Sequence, residues 1–159
     1  MPDTTPPATP DPPALPVTFR PGRTRAVLTV LAVGTFATIT AIGMLLDGLG
    51  TGERLSFALT ALLLAGVLLL LARPRVTADE AGVTVVNLTA KRRLAWAEII
   101  RVNLRNGDPW AFLDLSDGTS LPALGIQPGI ARQRAVQDAR ALRALVEARS
   151  AAAPEAPRG

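Results

Sequence analysis

The chain has 159 residues, 48% of them hydrophobic and only 19% charged, and its mean hydropathy is +0.29, high for a domain that lives in water. It contains no Cys and no His, which excludes thiolate nucleophiles, Cys/His zinc sites, imidazole bases, Ser–His triads and disulfides. The net charge of +4 suits an anionic partner but names none, because Arg, Ala, Gly and Pro enrichment also follows from a GC-rich genome.

Residues 1–25 read as a disordered, Pro-rich cytoplasmic tail ending in a basic juxtamembrane segment with Arg20, Arg23 and Arg25. Residues 26–46 and 55–72 contain no charged side chain, and the first run reaches roughly 30 Å as a helix, the thickness of a hydrocarbon core. The eight residues between them, DGLGTGER, are short and Gly-rich, so the two spans return antiparallel as a transmembrane hairpin over 26–72. Basic residues flank its outer ends (Arg73 and Arg75 follow the second span), whereas the loop carries Asp47 and Glu53 against Arg54. Both termini are therefore expected in the cytoplasm, with the protein multi-pass in the plasma membrane. The first apolar run is too long for a signal-peptide core and no small-x-small cleavage pattern follows it, so it is read as retained. Neither span holds an ionisable residue, which argues against ion or proton transport. Gly34 and Thr38, and Ala61 and Ala65, are small residues four apart that permit close helix approach, either between the two spans or between copies of the chain in a homo-oligomer.

From Val76 the texture changes to short alternating runs at 76–79, 83–88, 92–96, 99–105, 110–115 and 119–124, separated by turn residues. Ile100, Val102 and Leu104 are expected to face a core, and Asp117-Gly118 to form a tight hairpin turn. Residues 130–149 follow a helical period with Ala135, Ala139, Leu142 and Val146 on one face. The fold class is thus a two-helix transmembrane hairpin plus an α+β soluble domain over 73–150, with a second disordered tail over 151–159. The soluble part is expected to be a small antiparallel β-barrel or sandwich of six or seven strands capped by the C-terminal helix.

The runs PRVTADEAGVTVVN at 74–87, LAWAEIIRV at 94–102 and GDPWAFLDLSDGTSLPALGIQ at 107–127, with the closing helix and FRPGR at 19–23, resemble the bacterial pleckstrin-homology-like (PH-like) domain of short two-span membrane proteins. The resemblance implies a turn from Trp96 to Ile99 between the third and fourth strands, a barrel sealed by the last helix, and a binding or assembly module without an established substrate. Phosphoinositide-binding members of the wider superfamily use bases in the loop between the first two strands. Here that loop, residues 79–82, is acidic.

Candidate contacts to lipid or partner are Lys91, Arg92 and Arg93, the densest basic run, with Arg101 and Arg105 on one strand face; the alternative reading is a solvated turn and surface charges. Trp96, Ile99, Trp110, Gly118, Leu142 and Val146 are expected to be structural. Asp108, Asp114 and Asp117 sit at turns, where Asp caps backbone N–H groups, and no phosphate-cradling Gly-rich loop is present. No catalytic, metal or cofactor site is expected, and nucleic acid is not expected as a partner because exposed aromatics are lacking. The reading is a membrane-anchored interaction module, not an enzyme, that recruits or orients a protein partner at the cytoplasmic face. An electrostatic sensor of anionic lipid is the alternative, and a membrane enzyme subunit the third.

Overall fold

The computed structural model describes residues 11–151. The tail expected over 1–25 lies outside the described residues as far as residue 10, and that over 151–159 lies outside them beyond Ala151. The elements are β1 (Val17–Phe19), α1 (Gly22–Leu45), α2 (Thr51–Leu71), β2 (Arg75–Asp79), β3 (Gly82–Val86), β4 (Lys91–Leu94), a 3-10 turn (Trp96–Glu98), β5 (Ile99–Asn103), β6 (Ala111–Leu115), β7 (Ser120–Ala123), a second 3-10 turn (Gly129–Ala131) and α3 (Arg132–Ala151).

The two apolar runs form α1 and α2, long and apolar enough by length and composition to cross a membrane, with mean hydropathies of 2.0 and 2.2 over their most apolar stretches. Both helices begin ahead of the apolar run: Arg23 and Arg25 are helical, and Glu53 accepts the Gly50 N–H at 2.8 Å at the start of α2. Hydropathy marks the apolar stretch and not the cap, so the difference is one of helix ends. Small residues let the helices meet. Ala32, Ala61 and Ala65 are buried, and a Cβ on Gly43 would lie 2.6 Å from that of Phe57. Of the two small pairs, Ala61 and Ala65 therefore pack between α1 and α2, whereas Gly34 and Thr38 are exposed with open space around the glycine.

The six strands expected beyond residue 76 form two antiparallel sheets, ordered β1-β2-β3-β4 and β5-β6-β7. The seventh strand corrects the reading of residues 1–25 as a tail. Val17, Thr18 and Phe19 pair with Ala78, Thr77 and Val76, and Phe19 is buried. A β-branched, aromatic triplet favours extended backbone, and Phe19 has apolar surface to bury that the Pro-rich stretch before it lacks. The sheet thus contains residues from both sides of the helix pair.

One core joins both sheets to α3, with Val76, Val83, Leu94, Ile99, Val102, Leu113, Ile126 and Leu142 at its centre. Ala135, Ala139, Leu142 and Val146 are all buried, as the helical period requires. Asn87 ties the sheets together: its Nδ2 donates to the Pro122 carbonyl at 2.8 Å and its Oδ1 accepts the Leu124 N–H at 3.2 Å. Gly118 has a φ of +80° in the β6–β7 turn, where Asp117 accepts the Thr119 N–H at 2.9 Å and its hydroxyl at 2.6 Å.

Ile100 is a second correction. It is 64% exposed, not core-facing. Ile99 opposes Leu115 while Arg101 opposes Asp114, so β5 carries an extra residue against β6. Such a bulge shifts the alternation, and Ile99 and Val102 point inward while Ile100 and Arg101 point out.

Candidate interaction surface

β4 is an edge strand, paired only with β3, and its first three residues, Lys91, Arg92 and Arg93, are exposed. Two of the three bases are paired with carboxylates of the domain. The Arg93 guanidinium donates to both carboxylate oxygens of Asp79, at 3.1 and 3.0 Å, while that carboxylate also accepts the N–H groups of Ala81 and Gly82. Arg92 lies 3.6 Å from Asp117, across from the β6–β7 turn. Hydrogen bonds from the Thr119 hydroxyl and N–H, aided by Arg92, hold the Asp117 carboxyl below its ordinary pKa. Among the described residues Lys91 alone of the run is in no ion pair.

The structure does not gather the five basic candidates into one patch. Arg101 lines a groove of about 360 Å³ between β5 and α3, with Ile100, Asn103, Arg143 and Glu147. Arg105 lines a separate depression with Asp108, Asp114 and Ser120, and its own backbone N–H is held by Asp108 at 2.8 Å. Asp114 accepts from Asn103 and from Ser120, and Asp108 and Asp117 cap turns, so the three carboxylates do not converge.

The residues read as structural are placed as follows. Trp96 is buried, and its Nε1 donates to the carbonyls of Asp79 (3.1 Å) and Glu80 (3.3 Å), pinning the β2–β3 turn over the 3-10 turn that leads to buried Ile99. Trp110 is half-buried against Phe112, ring centroids 6.3 Å apart. Leu142 and Val146 are buried on α3.

Arg143 lies off the apolar stripe of α3, and sequence reasoning missed its role. Its Nε and Nη2 donate to the Val102 carbonyl at 3.2 and 2.7 Å, tying α3 to β5. Among the described residues β5 has β6 on one side and no strand on the other; α3 packs beside it, and the guanidinium takes one main-chain acceptor of that edge. Ile100, turned outward by the bulge, stands on that edge. No local signal marks either residue, since both depend on where β5 meets α3.

Two sheets and a closing helix around one core, with a tryptophan turn between the third and fourth strands after the helix pair, suit one family, and its model, the bacterial PH domain, matches residues 73–145. This stretch is a bacterial PH domain. Uncharacterized proteins of Mycobacterium bovis and Mycobacterium tuberculosis are similar to the chain, at 36% identity over 96 residues. That match covers 60% of this chain and 62% of each relative's length. No solved structure matches the chain. PH domains are typically non-catalytic interaction modules. In this one the loop between the first two strands of the matched stretch, residues 79–82, has no base of its own, and its Asp79 is taken up by Arg93 and the turn.

Proposed function

We propose that the chain is a membrane-anchored interaction module: α1 and α2 cross the plasma membrane as a hairpin, both chain ends lie in the cytoplasm, and the PH domain recruits or orients a protein partner there. The observation that carries this reading is the pairing of β1 with β2. One strand enters the helix pair and its neighbour leaves it, so the domain is fixed to the foot of the hairpin in one orientation and does not swing on a tether. Membrane residence is supported by how little of the most apolar stretches the protein itself covers, 11% of each. Side chains such as Val30, Leu45 and Leu63 form an apolar surface far larger than a protein in water leaves open. The cytoplasmic assignment rests on the arginines at 20, 23, 25, 73 and 75 against the acidic loop.

A protein partner is preferred over a lipid surface for the β4 run because Arg92 and Arg93 already have carboxylate partners. The surface that suits a protein is the β5 edge, which has no second strand neighbour among the described residues and presents exposed Ile100 beside the groove against α3.

Two experiments test this. Cysteine is absent from the chain, so single cysteines at Thr51 and Ser150 report cleanly on an impermeant thiol reagent. Labelling of intact cells is expected at position 51 only, and at 150 after permeabilisation; the opposite pattern would overturn the topology. A photo-crosslinking amino acid at Ile100 should yield a discrete protein adduct in cells, and the same probe at Lys91 should not. Equal yields at both positions would remove the β5 edge as the docking surface.

A further inference from the structure

The arginines of β4 are paired with carboxylates of the domain, but a second group is not. The 3-10 turn ahead of α3 packs against the first turn of α1, close to Thr24, and between them opens a cleft of about 570 Å³. It is lined by Arg23 from α1 and by Ile130, Arg132, Gln133, Arg134 and Asp138 from the turn and α3, with Arg20 in a smaller recess alongside. None of the ion pairs among the described residues involves these arginines, and neither helix has an acidic residue in its first turn. Arg132 donates to the Asn106 side-chain oxygen at 2.8 Å, a neutral partner that orients the guanidinium without cancelling its charge. The one acid in the cleft is Asp138. Partial burial raises its pKa against the pull of Arg134, and a single carboxylate cannot balance three guanidinium groups.

Position narrows the choice of anion. Arg23 precedes the apolar run of α1 by three residues, roughly 5 Å along a helix axis. If that run spans the bilayer, the cleft lies at headgroup depth, and Ile130, 61% exposed on its rim, can rest against the first acyl carbons. We propose that the cleft binds the phosphate of an anionic phospholipid in the leaflet facing the PH domain. Guanidinium forks from Arg23, Arg132 and Arg134 converge on the phosphate oxygens, with the Gln133 amide as a neutral donor. The site is remote in sequence from the acidic loop at residues 79–82. It would orient the domain on the bilayer while leaving the β5 edge free. The proposal rests on the membrane-anchored reading.

The test uses the full-length protein in detergent, with phosphatidylglycerol or phosphatidylcholine added and bound lipid counted by native mass spectrometry. Wild type is expected to retain phosphatidylglycerol about tenfold or more over phosphatidylcholine. R23Q/R132Q/R134Q should lose that preference, K91Q/R92Q/R93Q should keep it, and Asp138→Asn should increase it, a gain that misfolding cannot imitate. An unchanged preference in the first variant, an equal loss in the second, or no gain in the third would overturn the proposal. Displacement of the lipid by millimolar inorganic phosphate would make free phosphate the ligand and overturn the lipid assignment. Alkaline carbonate washing of native membranes separates the two readings. Release of the protein would overturn the anchoring and this site together, whereas retention without lipid preference would overturn this site alone.

Discussion

Leu142→Ala is expected to destabilise the PH domain by about 2–5 kcal/mol, the usual cost of removing a buried leucine from a core that cannot collapse around the void. Leu142 is fully buried where α3 closes over both sheets. Its neighbour Arg143 provides an informative contrast. From helical phase alone Arg143→Ala should have almost no effect, but the guanidinium holds the Val102 carbonyl, and a hydrogen bond to a charged group contributes about 1.5–3 kcal/mol. We therefore expect an intermediate loss at Arg143 and, at exposed Arg140, a change of about 0.5 kcal/mol or less. Urea unfolding of the full chain in detergent, followed by the fluorescence of Trp96 and Trp110, measures all three. Equal effects at positions 140 and 143 would show that the contact with Val102 contributes nothing, and a small effect at 142 would mean that α3 does not close the core.

Phe19→Ala is expected to cost about 3–5 kcal/mol, although this residue lies more than fifty positions ahead of the PH-domain match. Phe19 is buried in the domain core and its backbone pairs with Val76 on β2. Losing it removes core volume and loosens the strand that fixes the domain to the helix pair. Two effects should follow: a lower unfolding midpoint, and greater mobility of a spin label at Ser150 relative to one at Thr51. The same reasoning applies to an excised domain. Residues 73–151 alone lack β1, exposing one edge of β2 and the Phe19 pocket, and should melt well below a version carrying residues 15–21 joined by a short linker. Identical melting of the two would show that β1 is dispensable and that the domain is independent of the segment before α1.

The parts of this architecture legible in the sequence are those that local pattern encodes. The long uncharged runs at 26–46 and 55–72 specify apolar helices whatever surrounds them, and the period linking Ala135, Ala139, Leu142 and Val146 specifies which side of α3 is buried. The Asp117-Gly118 hairpin is set by neighbouring residues in the same way, whereas the turn from Trp96 to Ile99 follows from the family resemblance. Tertiary structure decided what depends on residues distant in the chain. β1 is three residues long and acquires meaning only when Val17 meets Ala78 across the whole helix pair. The bulge that turns Ile100 outward arises from the register between β5 and β6, which alternation within β5 alone cannot reveal. Charge is the clearest case. Lys91, Arg92 and Arg93 are the densest basic run in the sequence, yet folding sets Asp79 and Asp117 beside two of them, while Arg23, Arg132 and Arg134, scattered over more than a hundred positions, meet in one cleft. Sequence fixes how many charges there are; what each one faces follows from distances across the fold, and electrostatic energy depends on those distances.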